Sequence, residues 1–135
     1  VRTAILDTNV VLQFHISSSR SASVRTLEAF YDARFLLLYS AAVLDEYFEV
    51  LMTPTMRHRH RLSDAEILDF LASLLAPECR YQGTTPVRAD AARDVTDTKF
   101  LSLAAESKAD YLVTNDRRHL LAVRRYGHTR IVNPT

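Results

Sequence analysis

Four acidic residues are the candidates for whatever chemistry this chain performs. Asp7 ends a short apolar run, Ala4-Ile5-Leu6, and opens the tripeptide Asp7-Thr8-Asn9. A carboxylate there stands where a buried strand stops and a helix begins, the edge at which open α/β sheets place their chemistry. Asp116 follows the apolar run Tyr111-Leu112-Val113 and occupies an equivalent position. On the helix expected over residues 41–52, Leu44, Tyr47, Phe48 and Leu51 share one stripe at the 3.6-residue period. Glu46 lies at the edge of that stripe, with Val43 and Val50 to either side, while Asp45 and Glu49 project toward solvent. Asp97 is followed at same-face spacings by Phe100, Leu101 and Ala104, which puts it in the first turn of a buried helical face. Plainer roles exist for three of the four. Asp97 and Asp116 could cap helices, and Glu46 could be a solvated flank. Nothing near Asp7 requires a charge directly after a buried strand.

Four carboxylates gathered at one sheet edge repel one another, and desolvation raises some of their pKa values, unless a cation sits among them. Mg²⁺ or Mn²⁺ suits such a site: both are hard, take oxygen ligands and leave positions for a phosphate oxygen. A cation held there would activate water for attack on a phosphodiester and neutralise the charge that develops.

The elements that must position these acids alternate. Residues 3–6 read as a buried strand and 8–14 as the start of a helix, with a second helix over 22–32 after the polar stretch Ser17-Ser18-Ser19-Arg20-Ser21. Residues 35–39 form a five-residue apolar run, expected to be a strand buried on both faces. Ser40 is a plausible N-cap for the helix through Met52, which Pro54 ends. Ser63-Asp64-Ala65-Glu66 is a capping box before an amphipathic helix carrying Ile67, Leu68, Phe70, Leu71, Leu74 and Leu75, stopped near Pro77. A short strand is expected over 79–81 and a loop over 83–86. Asp94 or Thr96 caps a helix to about Ser107, followed by a strand over 110–114, a helix over 117–125 and a last strand over 130–132. Strands separated by helices imply βαβ crossovers and a parallel sheet.

A chain of 135 residues is one domain by size, residues 1–135, long enough for a three-layer fold. Its 47% hydrophobic and 24% charged content is that of an ordinary globular protein. Net charge +1 excludes no partner, because the distribution of charge decides that. Cys79 is the only cysteine, so no intramolecular disulfide forms, and it reads as a small core hydrophobe. No apolar run approaches the roughly 18 residues of a membrane span, and no signal peptide pattern precedes Asp7. The expectation is a cytoplasmic protein with no membrane partner, and a start at Val1, almost inside the first strand, fits the trimming of a short leader.

Together, Asp7-Thr8-Asn9 after Ile5-Leu6, Glu46 within the segment Ser40-Ala41-Ala42-Val43-Leu44-Asp45-Glu46, Asp97 in Arg93-Asp94-Val95-Thr96-Asp97-Thr98-Lys99-Phe100-Leu101, and Asp116 in Ala109-Asp110-Tyr111-Leu112-Val113-Thr114-Asn115-Asp116 resemble the PIN domain family. The likeness is greatest to the VapC-like toxin components of prokaryotic toxin-antitoxin systems. It covers nearly the whole chain, in order. The resemblance implies a three-layer α/β/α sandwich with a central parallel sheet and a metal-dependent ribonuclease activity. Family acids that bind Mg²⁺ or Mn²⁺ map onto Asp7, Glu46, Asp97 and Asp116, while Thr8, Asn9 and Thr114 would orient carboxylates or water. Asp94 reads first as a cap and second as a supporting ligand. The implied partners are an RNA substrate, a small antitoxin and a second copy in a homodimer. Two departures stand out: Thr96 and Thr98 flank Asp97 where relatives carry a denser acidic run, and Asn115 replaces the usual Gly before the last acid.

Arg57-His58-Arg59-His60-Arg61 reads either as a phosphate-contacting stretch, with Arg57, Arg59 and Arg61 meeting RNA, or as a solvated, mobile connection. Arg117 and Arg118 lie next to the acids and are better placed to meet a substrate phosphate. His58 and His60 are two apart, wrong for one helical face, so no zinc spacing exists. Glycine occurs only at 83 and 127, which excludes a Gly-rich phosphate loop. Phe and Tyr residues fall mostly on buried stripes, as core rather than base-stacking platforms. Two other functional classes stay open. A phosphatase of the haloacid dehalogenase type also ends its first strand in a catalytic Asp, but wants a second Asp where Asn9 stands. A non-catalytic PIN module would act through RNA or protein binding alone.

Overall fold

A computed structural model describes residues 1–17, 21–87, 97–116 and 120–134. Its main sheet has five strands in the order β2-β1-β5-β7-β6. β1 (Thr3–Leu6) lies inside the sheet, which is why Ala4, Ile5 and Leu6 can all be apolar and buried. It pairs in parallel with β2 (Leu36–Leu37) on one side and with β5 (Tyr111–Val113) on the other. β5 in turn pairs in parallel with β7 (Thr129–Val132). The parallel core matches the alternation of the sequence. At the outer edge β6 (Arg125–Tyr126) turns back antiparallel onto β7, so the end of the helix expected over 117–125 is a hairpin strand instead. Gly127 occupies its turn with φ +59°, a conformation that costs glycine little.

The five-residue run at 35–39 is the largest departure. Its chain leaves the main sheet after Leu37 and re-pairs as β3 (Tyr39–Ser40) with β4 (Arg80–Tyr81) in a separate two-stranded sheet. Leu36 is 43% exposed, because β2 is an edge strand covered on one side only. Apolar continuity in sequence could not reveal that the partner strand changes at Leu38.

α1 (Thr8–Ile16) and α2 (Ala22–Tyr31) connect β1 to β2 and pack on one another. α3 (Ala41–Met52) starts where expected: the Ser40 hydroxyl accepts the Val43 N–H at 3.2 Å. It packs against α1, buries Val43, Tyr47 and Leu51, and leaves Phe48 37% exposed, contrary to its place on the apolar stripe. Pro54 ends α3, yet it also begins a new helix, α4 (Pro54–His60), at the first-turn position where a missing N–H costs nothing. The basic stretch is therefore helical rather than an irregular connection. His60 is its anchor: Nδ1 accepts the Leu62 N–H at 2.9 Å, so Nε2 carries the proton and donates to the Leu51 carbonyl at 2.8 Å. α5 (Asp64–Ser73) bears the capping box in full, with both Ser63–Glu66 bonds made. Leu68 on α5 is 55% exposed. After a 3₁₀ turn at Pro77–Cys79, Cys79 is buried in the core as expected. α6 (Thr98–Ser107) buries every residue from Phe100 to Ala104, and α7 (Leu120–Val123) precedes the final hairpin. The caps expected from Asp94 or Thr96 lie outside the described residues. Among the described residues no helix is long and apolar enough to cross a membrane.

One glycine is fixed by contact. Gly83 has φ +72°, and a Cβ there would meet the Ser40 Cβ at 2.9 Å. It lets the 82–87 segment approach the cap of the helix that carries Glu46.

Candidate active site

The chain runs from β1 to β2 on one side of the sheet, while β5 lies on the other side of β1. Open α/β sheets form a crevice beyond the strand ends at such a switch point. Register then decides what meets there. Leu6 pairs with Val113, and the ladder continues through Asp7 N–H to the Val113 carbonyl at 2.9 Å. Asp7 and Thr114 therefore leave adjacent strands side by side, and the Thr114 hydroxyl donates to Asp7 Oδ2 at 2.6 Å.

Asp7 is the N-cap of α1, so, contrary to the expectation that nothing nearby calls for its charge, it has a structural role of its own. Its Oδ1 accepts the Thr8 N–H at 2.7 Å, and its Oδ2 also accepts from Asn9 Nδ2 at 3.2 Å. The orientation of the Asn9 amide is fixed by this pattern, because its Oδ1 accepts the Asn115 N–H at 3.2 Å. Burial pushes the Asp7 carboxyl from its ordinary 3.8 up to about 6. The bonds from Thr114 and Thr8 oppose that rise, and the charges of Glu46 and Asp116 add to it. Among the described residues no cation forms an ion pair with Asp7.

Glu46 reaches the site from the middle of α3. Thr8 Oγ1 donates to its Oε2, and Lys99 Nζ donates to its Oε1 at 2.7 Å. Thr8 thus joins the first and second acids, as Thr114 joins the first and fourth: its hydroxyl, spent on Asp7, also accepts the Asp116 N–H at 2.9 Å. Below them Tyr47 is fully buried and donates its hydroxyl to the Leu6 carbonyl. Burial, with the charges of Asp7 and Glu46 behind it, raises that phenol well above its usual value.

Asp97 is buried at the start of α6, two residues from Lys99, and its side chain makes no capping bond to its own helix. Asp7 is thus within electrostatic reach of both Glu46 and Asp116, and Asp97 stands two residues before Lys99, whose ammonium reaches Glu46. Among the described residues no three acidic, histidine or cysteine side chains converge tightly enough to form a ready metal cage. Thr8, Asn9, Lys99 and Thr114 hold the carboxylate oxygens instead. Asp94, Arg117 and Arg118 lie outside the described residues. Of the basic stretch, Arg57 is engaged with Asp64 at 2.5 Å and with Met52 Sδ, whereas Arg59 and Arg61 are exposed.

Three contributors were not foreseen. Lys99 had a signal: a cation in the first turn of a helix opposes the helix dipole and so needs a reason to be there. Its partner Glu46, fifty-three residues away, was invisible to local reading. Asn115 and Ser23 form the third side of the network, with Asn115 Nδ2 donating to Ser23 Oγ at 3.3 Å. Asn115 has no positive φ, so the position demands no glycine and the departure from the motif is without strain. Replacing Lys99 with Met is expected to cost the metal-free protein about 1 kcal/mol near neutral pH, since Glu46 then faces Asp7 uncompensated in a partly buried setting. Urea denaturation would show this as a lower midpoint at unchanged slope; an unmoved midpoint would mean the ion pair contributes nothing.

No curated protein matches the sequence. The fold is similar to that of a chain in the crystal structure of VapBC2 from Rickettsia felis bound to a DNA fragment from their promoter. The TM-score is 0.63 at 18% identity, over 97% of this chain and 98% of that one. The PIN domain family model matches residues 3–118. That span contains all four acids and the strands β1 and β5 that lead into Asp7 and Asp116, and the chain belongs to the PIN domain family, whose members are generally nucleases.

Proposed function

We propose that this protein is a Mg²⁺- or Mn²⁺-dependent endoribonuclease and the toxin of a toxin-antitoxin pair. One observation carries the reading: a buried Asp7 carboxylate with no cationic partner among the described residues, flanked by the charges of Glu46 and Asp116 at the sheet's switch point. Such a site is electrostatically unsatisfied, and its donor set is entirely oxygen, which fits a hard divalent cation. Asp7, Glu46, Asp97 and Asp116 would hold the ion, with Lys99 yielding Glu46 to it. When bound, the cation supplies charge neutralisation at the phosphate and lowers the pKa of a water. The chain's own residues do the orienting. Thr114 and Asn9 fix the Asp7 oxygens, Thr8 fixes Glu46, and Lys99 stands ready with a positive charge beside the ligands.

Likeness to a VapBC2 chain supports a small antitoxin as partner, and exposed Phe48, Leu68 and Leu75 supply apolar surface that a protein could cover, either the antitoxin or a second copy. RNA contact by Arg59 and Arg61, with Arg117 and Arg118, belongs to the same proposal. The test is incubation of purified protein with a pool of RNAs in Mg²⁺, Mn²⁺ or chelator. Cleavage is expected with metal and none with chelator; cleavage that ignores the chelator would refute metal dependence.

A second reading has its own observation. The Lys99–Glu46 ion pair neutralises one proposed ligand, which suits a non-catalytic module. Calorimetric titration separates the two: no Mn²⁺ binding by the folded protein would favour the module.

A further inference from the structure

A second charged feature lies at the opposite end of the strands. Arg125 and Arg130 are direct partners in the antiparallel β6–β7 pairing, so two guanidinium groups leave the same face from adjacent positions. Like charges directly opposite one another destabilise a ladder. Both are exposed, and among the described residues neither has a carboxylate within ion-pair distance. They line one cleft of about 200 Å³ together with Arg2, Asp110, Tyr111 and His128.

The single carboxylate of that cleft is already committed. Asp110 Oδ2 accepts the Thr3 N–H at 2.9 Å and the Thr3 hydroxyl at 3.4 Å, and Oδ1 faces His128 Nε2 at 3.5 Å. Arg2 donates to the Tyr111 hydroxyl at 2.7 Å and lies over the same ring, 5.6 Å from its centroid, with no carboxylate partner among the described residues. Three arginines against one aspartate leave a local surplus of two positive charges in a chain whose total is +1. The supporting frame is a hydrogen-bonded sheet: Tyr111 and Arg130 pair across β5 and β7, and the Arg130 N–H is held by the Asp110 carbonyl at 3.1 Å.

We propose that the cleft formed by Arg2, Arg125, Arg130 and His128 binds the sugar-phosphate backbone of RNA, as an anchor remote from the acidic site. Arg2 and Asp7 stand at opposite ends of β1, so anchor and acids are separated by roughly 16 Å at about 3.3 Å per residue. Guanidinium forks match phosphate oxygens in bidentate fashion, and the Tyr111 ring in the wall holds the Arg2 guanidinium at the cleft through its hydroxyl and its ring. RNA rather than another phosphodiester polymer rests on the nuclease reading above; recognition of the backbone does not.

The experiment uses the full chain carrying Asp7→Asn, in chelator, so that binding is read without cleavage. Fluorescence anisotropy of a labelled single-stranded RNA is compared with and without the added pair Arg125→Gln and Arg130→Gln. Affinity is expected to fall about tenfold, and the slope of log affinity against log salt to shrink by about 1.4, at roughly 0.7 for each lost phosphate contact. Melting temperature should stay level or rise, because the like-charge pair is gone. If the double variant fails to fold, Arg2→Gln alone carries the test, with a slope smaller by about 0.7. Unchanged affinity and slope in a folded variant would overturn the proposal. So would tighter binding of polyglutamate than of RNA, which would assign the cleft to an acidic protein. Loss of cleavage by the unsubstituted chain, with this binding intact, would refute the nuclease reading alone.

Discussion

Asp7→Asn is expected to reduce RNA cleavage by more than about 100-fold, since even the outer partners of metal ligands typically cost 10- to 100-fold when changed. The same substitution should not harm the fold. Folded Asp7 has its carboxyl at about 6 against an ordinary 3.8, so the folded protein holds this proton more tightly than the unfolded chain does. The stability that follows is fully present below pH 3.8 and is lost as pH rises through 6. At neutral pH the ionised group is a liability of about 3 kcal/mol as an upper figure. Asparagine removes that liability but cannot accept on both sides, and so forfeits part of the bonding to Thr8, Thr114 and Asn9. In metal-free buffer the variant should be more stable than the parent by about 1–2 kcal/mol at pH 7, with the advantage gone near pH 4. Cleavage assays and denaturant titrations across that range check both halves. Parental activity in the variant would remove Asp7 from the site, and a pH-independent difference would contradict the burial argument.

Saturating the site with Mn²⁺ should raise the melting temperature by about 10 °C. An ion at a hundred times its dissociation constant stabilises the folded state by about 2.7 kcal/mol, and in a domain of this size each kcal/mol moves the midpoint by about 3–4 °C. The same cation relieves the repulsion that Glu46 and Asp116 exert on Asp7. Because binding requires the ionised carboxylate, the gain should shrink as pH falls below 6. It should disappear in Asp7→Asn and grow in Lys99→Met, where Glu46 no longer has an internal partner to give up. Differential scanning calorimetry against Mn²⁺ concentration tests this directly. A midpoint that stays fixed through millimolar metal would exclude a preformed site.

Local patterns carried much of the architecture. Ser40, Ser63 with Glu66, and Pro54 act within a few residues of themselves, through caps and a fixed φ, and each does what its type dictates. His60 shows where that logic ends. Its neighbours suggested a solvated basic stretch, yet bonds to Leu51 and Leu62 bury the ring. Nearby His15 packs edge-on against Phe70, and burial lowers its pKa to about 4, so the two rings belong to the core between α1, α4 and α5. Neither role is encoded in the residues beside them.

By itself the sequence determined the alternation of strand and helix, the PIN motifs and the four acids, because hydrophobic period, caps and strand-end position are short-range properties. Only the tertiary structure decided how those acids are held. Parallel register between β1 and β5 sets Thr114 on Asp7, and the packing of α6 near α3 brings Lys99 to Glu46. Both contacts join residues more than fifty positions apart, and such pairings are fixed by the packing of whole elements, which no local window of sequence contains.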